Sequence, residues 1–313
     1  MTTTKVLSDH RRVDADTPSG SGRRLMAIRE AATGYLFVWP NLLLMGVFLF
    51  FPLGWAIVLS FQDATSFGPA VWAGLDNYTT LLSDGVFWRV MLNTVVFTVA
   101  TVPVGMLIGL VMANLLNRAL PARGILRTAI YLPIVISGLV TSLIGLLMFD
   151  EGVGIINGLL GDLGMGGVPW QTSGPFAMLS IVLMTLWTRV GFSMVIYLAG
   201  LQDVPEQLYE AARIDGASGW QQFWRITVPM LAPSTLFLLV MNVIASFQIF
   251  DLVYVMTNGG PGYSTSMLVT YAYDTGFGPT RDYGYGATIG VVLFLLTLVF
   301  TAIQLRARRA ADI

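Results

Sequence analysis

The sequence predicts an all-α membrane protein with six transmembrane helices, and three observations carry that prediction. Of its 313 residues, 55% are hydrophobic and only 11% are charged, against about 25% charged in an ordinary soluble domain. Six runs are each long and apolar enough for a bilayer-spanning helix, which needs about 20 such residues. Arg and Lys gather in alternate connections between those runs, as the positive-inside rule requires of a multi-pass chain.

Residues 1–28 are polar, with Arg11, Arg12, Arg23 and Arg24 around a TPSGSG stretch. They read as a flexible cytosolic tail. A secretory signal is the poorer reading, because the apolar run starts late, is long, and lacks a small-residue cleavage site. Residues 29–313 form the transmembrane domain, with spans expected at 34–61, 88–116, 124–149, 176–201, 231–256 and 284–305. The first span contains Pro40 and Pro52 and the third Pro133. Proline is tolerated in spans where neighbours satisfy the freed carbonyls. The second carries Gly105 and Gly109 in a GMLIG segment, a spacing suited to close helix contact.

An N-terminus in the cytosol puts Lys5, Arg11, Arg12, Arg23, Arg24, Arg29, Arg118, Arg123, Arg127, Arg213, Arg225, Arg306, Arg308 and Arg309 inside. These are fourteen of the 17 basic residues. Both termini are then expected in the cytosol. The outer connections, 62–87, 150–175 and 257–283, are rich in Gly, Pro and aromatics and read as ordered.

Composition also excludes chemistry. There is no cysteine, and the single His (His10) and single Lys (Lys5) both fall in the tail. A phosphate-cradling P-loop ends in Lys-Ser/Thr, so this chain has no such ATPase site. Without His or Cys in the body, most zinc and general-base chemistry is excluded as well. The chain is expected to be neither an enzyme nor a metal or cofactor binder, and no feature marks nucleic acid as a partner.

The segment between the fourth and fifth spans, 203–229, is short, polar and broken by glycine. Asp203 with Glu206 has the spacing of a capping box, and Gly216 suits the left-handed position that ends a helix. Ser218 with Gln221 repeats the capping spacing. Two short helices with an elbow at Gly216-Ala217 follow, lying in the cytosol by the charge argument. Ala211, Ala212 and Ala217 allow close approach of a partner, while Glu210, Arg213 and Asp215 supply a polar rim. Such an element is either a helix offered to another protein's groove or simply a capped loop.

The run EAARIDGASGWQQFWRITVP (Glu210–Pro229) resembles the EAA motif of binding-protein-dependent ABC importer permeases. Glu210, Ala211, Ala212, Asp215, Gly216, Ala217, Ile226 and Pro229 match its core positions. The TNGGPGYST segment, Thr257 to Thr265, is similar to the family's sugar-permease branch, and the likeness extends over about 34–306. The resemblance implies the type I importer fold, in which the EAA helix docks into a separate ATP-hydrolysing subunit. It further implies a second related permease subunit, two ATP-binding subunits carrying ATP and Mg, and an external solute-binding protein. The chain would sit among lipids of the cell membrane and move a disaccharide or oligosaccharide inward. An sn-glycerol-3-phosphate or phosphodiester cargo is the nearest alternative, and a secondary transporter the alternative of another class. The NGGPGYS turn either receives the binding protein or is a structural hairpin.

Beyond the first turn of each span two ionisable residues remain, Arg189 in the fourth and Asp251 in the fifth; such residues are costly in a bilayer and by default mark function. In the fifth span Asn242, Ala245, Ser246 and Ile249 follow i, i+3, i+4, i+7 spacing, one helical face. The resemblance makes that face, with Thr188, Arg189 and Phe192 of the fourth span, the sugar-contacting pathway. Asn242 and Ser246 either bond sugar hydroxyls or bond between helices. Arg189 either meets substrate or pairs with a carboxylate. Family members often carry a neutral or small residue at its position, and an arginine there suits an anionic ligand, although it also bonds hydroxyls.

Overall fold

The computed structural model describes residues 34–65, 68–117 and 121–311, with side chains to residue 306. The expected tail, 1–28, lies outside the described residues, as do Arg29 and Arg118 and the side chains of Arg308 and Arg309. Residues up to Trp55 and residues from Ala56 onward form two units. In the first, an apolar helix begins at Gly34; this helix, α1, runs to Leu59. It contains a π-helical turn at Gly46–Phe50, directly before Pro52, whose missing N–H interrupts the ordinary i→i−4 ladder. Among the described residues, none of α1 is buried.

The second unit begins with the last residues of α1 and continues with a two-stranded antiparallel ribbon, β1 (Gln62–Asp63) against β2 (Val71–Trp72). There follow α2 (Asp76–Ser83), α3 (Gly85–Asn117), α4 (Arg123–Tyr131), α5 (Gly138–Met148), α6 (Ile155–Asp162), α7 (Gly174–Gln202), α8 (Glu206–Ile214), α9 (Gly219–Gln222), α10 (Ala232–Phe247), α11 (Asp251–Met256), α12 (Leu268–Phe277) and α13 (Tyr283–Ala311). Among the described residues five helical stretches are long and apolar enough to cross a membrane: α1, α3, α7, α10 with α11, and α13 up to Arg306. A sixth crossing requires α4 and α5 together.

That third stretch is not the straight helix expected over 124–149. After α4 a 3₁₀ turn, Leu132–Val135, contains Pro133, and the axis bends by 99° before α5. Ile136 is extended, and Ser137 then caps α5, its side chain accepting from Val140 N–H. Proline without an N–H followed by a capping serine is a local stop-and-restart signal. The fifth stretch is likewise divided, α10 ending at Phe247 and α11 starting at Asp251. Pro103 lies inside α3 without ending it.

The long helices α3 and α7 pack side by side. Met106, Ala113 and Leu116 of α3 meet Met194, Tyr197 and Leu201 of α7 in one core with Leu231, Leu238 and Phe247. A second core gathers Phe97, Ile181, Met184, Val253 and Met256 around Trp170. The close approach expected of the GMLIG pair falls at Gly109. A Cβ there would stand 2.6 Å from Ser193 Cβ and 3.0 Å from Met194 N, whereas at Gly105 the nearest atom is a Leu186 methyl at 3.4 Å. Beyond the end of α3, the Arg127 guanidinium donates to Leu116 O at 2.9 Å, a cation at a helix C-terminus.

The connections expected to be ordered are held by side chains. The Asn157 amide donates to Glu151 O and Val168 O and accepts from Val168 N–H and Trp170 Nε1. Glu151 Oε1 accepts from the backbone N–H groups of Gln171 and Thr172, both at 2.7 Å, which holds its carboxyl below the ordinary value. In the Thr257–Thr265 turn the two threonine hydroxyls meet at 2.7 Å. The Asn93 amide of α3 donates to Tyr263 O and Ser266 O, fastening the turn to α3.

Asp84, between α2 and α3, ties three elements together. Its Oδ1 accepts from Val86 N–H at 2.8 Å, and its Oδ2 accepts from Tyr271 of α12 at 2.6 Å and Tyr285 of α13 at 2.7 Å. Burial raises the pKa of this carboxyl, but the phenolic and backbone donors outweigh that and hold it below its ordinary value of 3.8. A carboxylate whose folded pKa is depressed stabilises the fold above its unfolded pKa. Its contribution is therefore complete above about pH 4 and is lost as pH falls through the lower folded value. Asp84→Asn should lower thermal stability by on the order of 1–2 kcal/mol at neutral pH, with the gap to wild type closing below pH 4 in a melting series. A gap independent of pH would exclude the ionised carboxylate as the cause.

The α3–α7 contact has its own test. Gly109→Val should destabilise the purified protein by about 1–3 kcal/mol through overpacking, while Gly105→Ala should be tolerated. Equal melting temperatures for the two variants would show that the helices are not in close contact at Gly109.

Candidate functional site

The two helix breaks and the α3–α7 pair enclose a cavity of about 400 Å³. From α3 come Phe97, Thr101 and Gly105; from the α4–α5 bend, Ile134, Ile136, Gly138 and Thr141. From α7 come Thr185, Thr188, Arg189 and Ser193, and from α10 through the start of α11 come Asn242, Ala245, Ser246, Gln248, Ile249, Phe250 and Asp251. The lining thus mixes hydroxyls and amides with two aromatic rings and one charge of each sign. Such a mixture suits a small polar ligand, with few polar groups fixing orientation against an apolar wall.

Six of the seven pathway residues expected from the sequence line this cavity: Thr188, Arg189, Asn242, Ala245, Ser246 and Ile249. Phe192 does not. It faces Phe237, with ring centroids 6.5 Å apart, and packs against the core between α3, α7 and α10. On α7 the next turn into the cavity is made by Ser193, four residues after Arg189, so the face is displaced by one position from the one expected. Ile249 reaches the cavity from the break after α10, not from the same helical face as Asn242.

Both interhelical bonding and cavity lining occur at the polar positions of α10. Asn242 Nδ2 donates to Ser193 Oγ at 3.4 Å, and Ser246 Oγ donates to Val243 O and meets Thr98 Oγ1 at 2.9 Å. Thr188 turns its hydroxyl back to Met184 O and Thr185 O. Arg189 is exposed in the chain and has no hydrogen bond or ion pair among the described residues. The carboxylate pair considered for it is therefore not formed here. Asp251 sits on another wall, packed against Gly138 in the first turn of α5, where a helix N-terminus favours negative charge. Thr141, also on the wall, has a buried hydroxyl with no partner among the described residues.

Sequence reading missed Thr101, Thr141, Thr185, Ser193 and Gln248. Hydroxyl or amide side chains inside apolar spans were the available signal, but only the tertiary arrangement separates them from residues bonded within a helix. Among the described residues no three acidic or imidazole side chains come together as a metal site.

The insert forms the two short helices and elbow expected. Gly216 has φ +75°. Its N–H donates to Arg213 O at 3.1 Å, and Ala217 N–H reaches Ala212 O at 2.8 Å, the paired bonds of a Schellman ending. The second capping box is complete, with Ser218 Oγ accepting from Gln221 N–H and Gln221 Oε1 from Ser218 N–H. The first is not formed: Asp203 ends α7, and the residue before α8 is Pro205, with no side-chain cap. Helix α7 runs on to Gln202, which leaves Asp203 facing the wrong terminus. Tyr209 of α8 meets Thr227 at 2.9 Å, across the elbow, in a π-helical turn Phe223–Thr227 that leads through Pro229 to α10. Glu210, Ala211, Asp215, Gly216 and Pro229 are exposed; Ala212, Ala217 and Ile226 are half-buried. The sequence reading passed over Ile214, which is 87% exposed at the tip of α8.

Comparison with known proteins places this arrangement. Residues 105–311 match the family model described as binding-protein-dependent transport system inner membrane component. The chain is 35% identical over 293 residues to the sulfoquinovosyl glycerol transport system permease protein of Agrobacterium fabrum, covering 93% of this chain and 92% of that one. It is 35% identical over 282 residues to the trehalose/maltose transport system permease protein of Thermococcus litoralis, covering 90% and 95%. A chain from a bacterial ABC transporter that imports the acidic polysaccharide alginate shares the fold. Its TM-score is 0.81 at 24% identity, with 92% of this chain and 99% of that one covered. The chain therefore belongs to the family of inner membrane components of binding-protein-dependent transport systems.

Proposed function

We propose that this chain is one of two related permease subunits of an ATP-driven importer, and that it passes a sugar through the cavity lined by Asn242, Ser246 and Arg189. Saccharide names among its relatives support the class of cargo, and hydroxyl and amide groups on the cavity wall suit it. In this reading residues 1–28, the C-terminus and the insert 203–229 lie in the cytosol, as the distribution of Arg and Lys favours. An external solute-binding protein delivers the sugar, and two further subunits hold ATP and Mg and carry out hydrolysis.

The observation that carries the reading is the construction of the insert. Helix α8 is held at its C-terminus by the Schellman bonds at Gly216 and near its middle by the Tyr209–Thr227 contact, yet it leaves Glu210, Ile214 and the following Asp215 exposed. An apolar knob with a charged rim on a short fixed helix fits a groove in a partner. Glu210, Ala211, Ala212, Asp215, Gly216, Ala217, Ile226 and Pro229 are assigned to docking or to holding its geometry. ATP-driven closure of the partner would then move the insert as a body, one of two discrete packings.

A side chain at Gly216 must enter the left-handed region, at about 1–2 kcal/mol for a residue with a Cβ. Gly216→Val, and separately Ile214→Asp, should abolish most ATP-dependent uptake by the reconstituted complex and weaken co-purification of the ATP-binding subunits. Ile214→Cys should crosslink to an ATP-binding subunit. Full uptake by both variants, labelling of position 214 from outside the cell, or solute movement by this chain alone would each overturn the reading.

A further inference from the structure

We propose that the cavity accepts a saccharide carrying an anionic group, a carboxylate, sulfonate or phosphate ester, with Arg189 as its counter-ion. This rests on the permease reading above and narrows its cargo.

Two charged side chains line the cavity, and they are differently placed. The Asp251 carboxylate packs against Gly138 at the start of α5, and α5, eleven residues long, offsets a negative charge at its N-terminus. Arg189 has no such provision. It lies midway along α7, too far from either end to reach an interface, and pairs with no carboxylate among the described residues. The neighbouring Thr188 hydroxyl donates back into its own helix. A guanidinium inside a span is retained against a standing insertion penalty and calls for a partner. The cavity is where Arg189 can find one, since the side chain lines it and remains exposed.

The rest of the wall supports a sugar attached to that anion. Asn242 and the exposed Gln248 bring amides to the same cavity, and amides bond hydroxyls as donor and acceptor. A planar guanidinium matches the two-oxygen edge of a carboxylate, sulfonate or phosphate by paired N–H donors. A neutral sugar would leave Arg189 unpaired, since Asp251 on the same cavity forms no ion pair with it.

The test uses the complete complex in proteoliposomes with its own solute-binding protein. The probes are maltose, a glucuronosyl-glucose disaccharide, a sulfoquinovosyl glycoside and a sugar phosphate, each labelled. The wild-type complex should take up one of the anionic probes in preference to maltose. Arg189→Gln should reduce that uptake by at least about tenfold, the loss expected when a charge-assisted bond is removed, while the complex still co-purifies intact. Arg189→Lys, which keeps the charge but not the fork, should recover a substantial part. Preferential uptake of maltose, or anion uptake unchanged by Arg189→Gln, would overturn the proposal and leave the permease reading standing. So would a structure of the complex in which Arg189 pairs with a carboxylate of the second permease subunit. A complex that moves no saccharide of any kind would overturn both.

Discussion

Backbone N–H and C=O groups cannot be left unpaired in hydrocarbon, and this constraint decides where the helices of the chain are allowed to break. Irregular backbone at membrane depth is tolerated only where protein covers it or where it borders a cavity. Both interrupted stretches obey this. The bend between α4 and α5 presents Ile134, Ile136 and Gly138 to the cavity, and the gap between α10 and α11 presents Gln248, Ile249 and Phe250 to the same space. The two restarted helices, α5 and α11, pack on each other in the second core through Ile144, Val253 and Met256. The cavity is therefore bordered by two breaks that face the same space, and its polar lining comes mainly from side chains of α3, α7 and α10 that turn towards it.

The pair α3 and α7 is the frame against which those breaks are set. With no side chain at Gly109, α3 reaches the backbone of α7 at Ser193 and Met194. Ser193 in turn receives the amide of Asn242, so the closest helix contact and the polar wall of the cavity share one residue. Small residues at the contact and a hydrogen bond beside it are the two means by which helices associate in lipid, where apolar burial between helices contributes little.

Much of this was legible in the sequence because the signals are local. Span existence follows from apolar length, and the elbow of the insert follows from Gly216, Ser218 and Gln221, whose bonds close within six residues. Asp203 shows the limit of local reading. The same Asp-x-x-Glu spacing serves an N-cap only if the preceding helix has stopped, and α7 had not. Pro133 was visible as a residue that frees a carbonyl, but a 99° bend depends on what the restarted helix packs against. The cavity was legible in part. Spacing along one helix placed Asn242, Ala245 and Ser246 together, whereas Ile249 belongs to the break and Phe192 to the core, because helical phase alone does not say which neighbour covers a face. Thr141, Ser193 and Gln248 carry no periodic signal, and only the meeting of α5, α7 and the break after α10 brings them to one cavity.

The insert and the cavity are joined by a short and continuous path. From α8 the Tyr209–Thr227 contact crosses to the π-helical turn. That turn passes through Val228–Met230 into α10 with a single intervening residue, Leu231, which is almost fully buried in the core with Met194 and Leu238. Helix α10 then carries Asn242 and Ser246 to the cavity. A displacement of α8 cannot be absorbed along this path by a floppy linker, because its members are helical or buried; it must either rotate α10 or break the core around Leu231. Packed interiors respond to such a load by switching between discrete arrangements rather than by bending smoothly. On the proposed reading, the work of a partner at Ile214 is thus delivered to the helix that contacts the sugar. The break at Gln248–Phe250 lies where α10 can turn without dragging α11, which remains packed on α5.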